Sequence, residues 1–258
     1  MVKVKSLLGF SFIVGIIGFI TFFLIQISYA QPGNEGHVVV PEPGTLALLS
    51  TGFVGWMVQF ARRRFLEFKR IFDIFAASIG MIIALPVVFF AAIVIKIVSP
   101  GPVFYRQERV GLNGDTFYIY KLRTMRLDAE TKSGPMWAQK DDPRLIRFGG
   151  MMRKMHLDEL PQLYNVIRGD MSIVGPRPER PIFVEKLSKE ISDYPKRVEV
   201  KPGITGLAQV WHKYDETIQD VKKKVKYDLL YKREMCFMAD VRIILRTFII
   251  SARGKGAR

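Results

Sequence analysis

Residues Ile71 to Val98 form a predominantly apolar run of about 28 positions, with Asp73 near its start, Lys96 near its end and a basic cluster on each flank, and few folds accommodate that pattern. Arg62, Arg63, Arg64, Lys69 and Arg70 precede it; Lys96, Arg106, Arg109, Lys121 and Arg123 follow. At about 1.5 Å rise per residue a straight helix of this length reaches roughly 42 Å, more than a hydrocarbon core of about 30 Å. A single crossing puts one cluster on the side that lysine and arginine avoid. Pro86, near the middle, removes a backbone donor and breaks a helix readily. The economical expectation is a re-entrant helix hairpin that enters and leaves on the cytoplasmic face. A straight, tilted span is the alternative, and it exports everything after it.

Two more apolar segments precede this one, so two transmembrane-type helices are expected. Leu7 to Ile27 follows Lys3 and Lys5, is long enough to span, and ends at Ser28-Tyr29-Ala30. It reads either as an uncleaved anchor or as a cleavable signal peptide. Residues 31 to 43 contain no lysine or arginine and belong outside, after which Thr45 to Ala61 returns and Arg62 to Arg64 close it on the cytoplasmic side. The chain thus divides into 1–30, signal peptide or anchor; 31–67, linker and second helix; 68–99, re-entrant helix; and 100–258, cytoplasmic domain.

The formal net charge of +15 falls entirely after residue 61, because the first 61 residues hold only Lys3, Lys5, Glu35 and Glu42 as charged groups. So basic a domain attracts polyanions, and nucleic acid, an anionic lipid surface and a diphosphate substrate compete. Membrane attachment favours the last two, and the RNA-binding signature of basic residue, glycine and aromatic is absent. Cys236 is the only cysteine and the three histidines are scattered, which excludes a disulfide framework and a zinc cage. Neither a Gly-rich phosphate loop nor a nucleophile elbow is present, so kinase and hydrolase chemistry lack their residues.

Beyond Ser99 the turn signals come at short spacing: Ser99-Pro100-Gly101-Pro102, Gly111 to Asp115, Asp141-Asp142-Pro143, Gly149-Gly150 and Lys201-Pro202-Gly203. Val103 to Arg106 and Thr116 to Leu122 flank the Asn-Gly-Asp turn and read as a β-hairpin. Helices are expected at Leu145 to Met155, Glu159 to Ile167, Arg180 to Ile191, Ile218 to Glu234 and Val241 to Ala252. The fold class is α+β, mainly helical, with a small hairpin. The last helix sets Val241, Ile244, Leu245 and Phe248 beside Arg242, Arg246 and Arg253, and Lys222, Lys223, Lys224, Lys226, Lys232 and Arg233 add a second basic surface. Either suits anionic membrane lipids or is a solvated charged face.

The candidate site lies in HLDELPQLYNVIRGDMSIVGPRP, residues 156 to 178. Adjacent carboxylates, Asp158 and Glu159, fall within reach of several arginines. Gly175-Pro176-Arg177-Pro178 is a stiff turn that limits where Arg177 points, which suits bidentate contact with phosphate oxygens. Arg153, Lys121 and Arg123 are further phosphate-binding candidates. Two carboxylates with phosphate oxygens form a sufficient donor set for Mg2+, so Asp158 and Glu159 are also the candidate metal ligands.

Several stretches in order resemble the bacterial sugar transferases, the small monotopic phosphoglycosyl transferases: FKRIFDIFAASIG, GPVFYRQERVGLNGDTFYIYKLRTM, DDPRLIRFGGMMRKMHLDELPQLYNVIRGDMSIVGPRP and KPGITGLAQV. The resemblance covers about Phe68 to Thr247. It implies transfer of a sugar 1-phosphate from a UDP-sugar to undecaprenyl phosphate with release of UMP, at the cytoplasmic face of the bacterial inner membrane. It further implies Asp158 as the nucleophile, forming an aspartyl phosphosugar, with Glu159 as its partner in binding metal or activating the lipid phosphate. Asp228 matches another acidic position of the family and is a supporting acid. The family often has Ser-Pro at the helix break, where this chain has Leu85-Pro86. The lipid-linked product suits exopolysaccharide, capsule or glycoconjugate synthesis by downstream glycosyltransferases; the sugar and the oligomeric state stay open. Val40-Pro41-Glu42-Pro43-Gly44, with an apolar run and arginines after it, resembles the PEP-CTERM sorting signal read by exosortases, although that signal is usually C-terminal. An ordinary turn before a membrane helix reads equally well there.

Overall fold

The structure, a computed structural model, describes residues 43–129, 134, 142–212 and 217–252. The Leu7 to Ile27 segment, the Ser28 to Ala30 junction, residues 31–42, Asp141 and Arg253 lie outside the described residues. The chain divides into two compact units, Met1–Phe68 and Lys69–Arg258.

Helix α1 spans Pro43–Val98 and is, among the described residues, the one helix long and apolar enough to cross a membrane. Its stretch in the first unit carries exposed aromatic side chains in file, Trp56 stacking on Phe60 at 5.6 Å between ring centres. The separate helix expected over Thr45 to Ala61 is instead continuous with the Ile71 to Val98 segment. From Trp56 to Ile79 there is neither glycine nor proline, and arginine is a good helix former, so a topogenic basic cluster is no helix terminator. Nor does the helix end at Pro86, which lies inside α1. A proline leaves one ladder bond unmade while the bonds on either side persist, so the expected pair of helical arms is one helix here.

In the second unit α1 is two-faced. Lys69, Asp73, Ala77, Ala84 and Ile95 are buried, while Ile71, Phe75, Ile82, Ile83, Leu85, Phe89, Phe90 and Ile97 are exposed. The buried stripe follows helical spacing and meets two successive cores. Ala77 packs with Ile119, Val166 and Met171; past Pro86, Val88, Ala91 and Ile95 pack with Leu122, Ile146 and Met152.

Strands β1 (Phe104–Val110) and β2 (Thr116–Leu122) pair antiparallel, with Tyr105 opposite Lys121 and Arg109 opposite Phe117. The hairpin was legible, and β2 has the expected bounds. Helix α2 (Gly149–Lys154) is shorter than the expected Leu145 to Met155. The Leu145 end pairs as a β-bridge with Met125, and Phe148 adopts a left-handed conformation at φ 69°, which a helix cannot continue through. A 3-10 turn over Leu157–Glu159 leads to α3 (Gln162–Arg168), whose C-terminal carbonyls at Val166 and Ile167 accept bonds from Arg70 of α1 at 2.6 and 2.8 Å.

A parallel pair escapes sequence reading: β3 (Ser172–Val174) beside β4 (Gly203–Thr205). A Cβ on Gly203 would strike the Gly175 backbone, so this close approach requires glycine. Helices α4 (Pro181–Glu190), α5 (Leu207–Trp211), α6 (Ile218–Glu234) and α7 (Phe237–Ala252) complete the unit, with a 3-10 segment over Tyr194–Glu199. Helix α6 starts where expected because Thr217 and Asp220 form a capping box. A buried polar link ties first helix to last: Lys69 Nζ meets Asp240 at 2.5 Å, and Asp240 accepts the Tyr231 hydroxyl at 2.7 Å.

Candidate active site

The two carboxylates are presented by the Leu157–Glu159 turn, whose geometry is forced from both sides. His156 is left-handed at φ 57°, ending the helical run from α2, and Pro161 has no N–H to offer the turn behind it. Leu157 packs against the Ile95, Leu122, Ile146 and Met152 core, anchoring the turn. Asp158 and Glu159 are thereby buried, at 7% and 9% exposure. Adjacent buried carboxylates repel and lose hydration, so they persist only with compensating charge.

That compensation is unequal. Arg177 donates from both terminal nitrogens to Glu159, to Oε2 at 3.2 Å and more closely to Oε1, and Lys121 Nζ adds a bond to Oε1 at 2.7 Å. Burial works to raise the Glu159 pKa, but the charges and hydrogen bonds of Arg177 and Lys121 outweigh it and hold the group well below the usual carboxylate range. Asp158 accepts no hydrogen bond among the described residues. Burial first, then the charge of Glu159, pushes its pKa up despite Lys121, Arg153 and Arg177 nearby. One carboxylate is an ion-paired anchor; the other keeps its lone pairs available.

Arg177 keeps 35% of its side-chain surface exposed and so can meet a ligand as well as Glu159. Its backbone is fixed by successive contacts. The carbonyl of Pro176 accepts the Gly203 N–H at 2.9 Å, that of Arg177 accepts Arg197 at 2.9 Å, that of Pro178 accepts Arg109 at 2.9 Å, and that of Glu179 accepts the Val110 N–H at 2.9 Å. The stiffness expected from Pro-Arg-Pro is thus reinforced on every carbonyl from 176 to 179.

The other candidates occupy distinct places. Lys121 joins the carboxylates directly. Arg153 bonds Thr124 Oγ1 through Nε at 2.9 Å, and its charge bears on Asp158. Arg123 is not brought to this cluster: it is buried and donates to the carbonyls of Ser99 and, at 3.0 Å, Pro100, fastening the chain just after α1. Asp228 is also away from the pair. It is 2% exposed and holds Arg197 at 2.8 Å, which in turn holds the Arg177 carbonyl. Thr205 and Gln209 are structural ties, to Thr247 at 2.6 Å and to the Ile204 carbonyl at 3.1 Å.

Sequence reading missed Arg109, Glu179, Arg197 and Lys224. Glu179 pairs with Lys224 at 2.8 Å and Arg109 at 3.6 Å. Burial raises its pKa, but Lys224, Arg197 and Arg109 bring it down to about 2. Arg197 and Lys224 lie far from the motif in sequence and look like ordinary surface charge there.

Hard oxygen ligands suit a hard cation. No group of three or more His, Cys, Asp or Glu that could hold a metal occurs among the described residues. Asp158 and Oε2 of Glu159, which accepts a single bond, retain lone pairs that fit an ion completing its shell with phosphate oxygens and water.

The family described as bacterial sugar transferase matches residues 63–254, and the PEP-CTERM protein-sorting motif matches residues 39–64. A UDP-N-acetylgalactosamine-undecaprenyl-phosphate N-acetylgalactosaminephosphotransferase of Aeromonas hydrophila is 42% identical over 74% of this chain and 45% of its own length. A UDP-glucose:undecaprenyl-phosphate glucose-1-phosphate transferase of Xanthomonas campestris pv. campestris is 42% identical over 72% of this chain and 39% of its own. An exopolysaccharide production protein of Rhizobium leguminosarum bv. phaseoli is 38% identical over 74% of this chain and 98% of its own. The match thus spans less than half of the first two relatives.

Proposed function

The chain belongs to the bacterial sugar transferase family, and from that membership we propose that it transfers a sugar 1-phosphate from a UDP-sugar to undecaprenyl phosphate. The observation that carries the reading is the division of labour between neighbours: Glu159 is neutralised by Arg177 and Lys121, while Asp158 accepts no hydrogen bond among the described residues. A nucleophilic carboxylate must be ionised and poorly solvated, and must meet a phosphorus whose oxygens are already neutralised.

In the proposed reaction an Asp158 oxygen attacks the sugar-bearing phosphorus, a P–O bond forms, and the bond to the bridging oxygen breaks, so that UMP leaves with the electron pair. An oxygen of undecaprenyl phosphate then attacks the same phosphorus and displaces Asp158, giving the lipid diphosphosugar and the free carboxylate. Arg177, partly exposed and rigidly mounted, orients phosphate oxygens, with Arg153 and Lys121 adding positive charge around the attacking group. Mg2+, held by Asp158 and Glu159 together with phosphate oxygens, supplies charge neutralisation when bound. Donors of the glucose or N-acetylgalactosamine type are the first to test, since relatives carry those names. The product serves the start of exopolysaccharide or related glycan assembly.

The same reading sets the domain on the cytoplasmic face of the inner membrane. The folded unit packs against α1 on both sides of Pro86, through Ala77 and through Ile95, while the opposite face of the helix is exposed and apolar. Packing of the folded unit along both halves of α1 supports a helix that does not cross the bilayer as a lone span. Entry from one side, with both basic flanks in the cytoplasm and bending at Pro86 where the ladder lacks a donor, fits that packing. Labelling of an introduced cysteine at Gly114 with an impermeant reagent in intact cells is expected to fail; efficient labelling contradicts the topology. The activity is tested by UMP release from a UDP-sugar panel with Mg2+ and undecaprenyl phosphate. No release with any donor contradicts the function.

A further inference from the structure

Helix α2 carries an apolar edge that the fold leaves open, immediately before the carboxylate turn. Phe148, Met151 and Met155 are 45%, 53% and 56% exposed, and they recur three and four residues apart, the spacing of one helical face. Met155 closes the helix with its N–H on the Met151 carbonyl at 3.0 Å. Met152, between them in sequence, turns instead into the core formed with Val88, Ala91 and Ile95 of α1 and with Leu157 of the turn. Gly149 fixes that orientation: a Cβ there would lie 2.4 Å from the Thr124 carbonyl, so α2 is pressed against the chain leaving β2. The open edge is therefore held in place, on a helix seated on the post-Pro86 half of α1 and joined to the turn that presents Asp158.

Charge and position indicate the occupant. From Arg144 to Leu157 the chain holds Arg144, Arg147, Arg153 and Lys154 and no acidic residue. Arg147 lies over the Phe148 ring at 5.4 Å, and the Arg153 charge bears on Asp158. An apolar strip set among cations complements a molecule with an apolar chain and an anionic head, and thioethers adapt readily to such a chain. The reach is short, since Met155 stands three residues before Asp158 and their Cα atoms are at most about 11 Å apart. Helix α7, which also has an exposed apolar side, meets α1 before Pro86, through Asp240 and Lys69. Helix α2 meets α1 after Pro86, beside the nucleophile.

We propose that the Phe148, Met151 and Met155 edge of α2 receives the isoprenoid chain of the acceptor lipid phosphate and so leads its head to the phosphorus carried by Asp158. The assignment rests on the transferase reading above and concerns only its second displacement. A lipid phosphate that attacks there must bring its first isoprene units to this turn, and the edge keeps them out of water while Arg153 meets the charge. Formation of the aspartyl adduct from the UDP-sugar needs no such chain, so the two steps separate the role of the edge from any effect on the turn.

The test uses the full-length protein in detergent micelles, with the UDP-sugar found active for the parent chain and Mg2+, and compares undecaprenyl phosphate with a short isoprenyl phosphate of two units as acceptors. Met151→Gln with Met155→Gln keeps length and helix propensity but makes the edge polar. This variant is expected to keep Tm and the burst of UMP seen without acceptor, and to raise KM for undecaprenyl phosphate at least about 10-fold. Use of the short acceptor stays near parental, so the preference for the long chain falls by the same factor. Met151→Leu with Met155→Leu is expected to behave as the parent. Parental KM in the glutamine variant overturns the proposal, as does equal weakening with both acceptors or loss of the acceptor-free burst. Loss of flotation with anionic vesicles while the chain-length preference persists assigns the edge to the bilayer instead. A change in oligomeric mass with that preference intact assigns it to a second copy of the chain. Absence of UMP release by the parent is a separate result and strikes the transferase reading itself.

Discussion

Arg177 grips Glu159 through both terminal guanidinium nitrogens, and Lys121 meets the same carboxylate at 2.7 Å. Arg177→Lys keeps the charge but loses the fork. Charge-assisted hydrogen bonds are worth about 1.5–3 kcal/mol each, so loss of one lowers kcat/KM roughly 10- to 100-fold. Steady-state UMP release measures this, and a change below threefold speaks against a positioning role for the fork.

Arg197 links that loop to Asp228, with 2.8 Å between the charged groups and 2.9 Å to the Arg177 carbonyl. Asp228→Leu alone strands a buried guanidinium and is expected to cost about 3–5 kcal/mol of stability. Arg197→Met with Asp228→Leu removes both charges and is expected to regain most of that loss in chemical denaturation. Activity should stay low in the double variant, because the Arg177 carbonyl has lost its donor. Full recovery of activity would show that the pair acts only on stability.

Acid sensitivity follows from Glu179, whose pKa is lowered from 4.5 to about 2 in the fold. A carboxylate depressed on folding stabilises above its unfolded pKa, and that stability drains away as pH falls towards the folded value. At about 1.4 kcal/mol per pKa unit, the contribution is on the order of 3 kcal/mol, lost between about pH 5 and pH 2. Glu179→Gln should therefore be less stable at neutral pH and show a flatter acid limb in Tm against pH. Parallel acid limbs in the two proteins contradict the assignment.

Asp158 has the opposite sign. Burial and the neighbouring Glu159 charge raise its pKa, so its ionised form destabilises the fold at neutral pH, and the effect disappears as pH falls below its unfolded value. Asp158→Asn is expected to raise Tm at pH 7 while removing activity, the pattern of a group kept for chemistry. A fall in Tm at neutral pH argues that the carboxylate is a structural partner.

The parts of this molecule legible in sequence are those set by local signals. The Asn-Gly-Asp turn locates β2, the Thr217 and Asp220 capping box starts α6, and Lys121 and Arg177 meet at Glu159, beside Asp158. What escaped is long-range. Strands β3 and β4 are three residues each, too short for a periodic signal, and their pairing shows only as glycines at 175, 203 and 206 that tolerate no Cβ. Arg123 carries the same charge as Arg177, but its guanidinium faces the Ser99 and Pro100 carbonyls, and no pattern of residue types reveals that direction. Arg62 to Arg64 and Pro86 suggested helix boundaries because they are basic or bendable, yet neither ends α1.

The central claim is that Asp158, and not Glu159, bonds covalently to the transferred phosphosugar. Rapid quenching of the protein with its UDP-sugar and Mg2+ in the absence of lipid acceptor, followed by intact and peptide mass spectrometry, tests it directly. The account predicts a mass increase of one sugar phosphate on the peptide containing Asp158, released by undecaprenyl phosphate and absent from Asp158→Asn. An adduct at another residue, or UMP release that survives in Asp158→Asn, contradicts it.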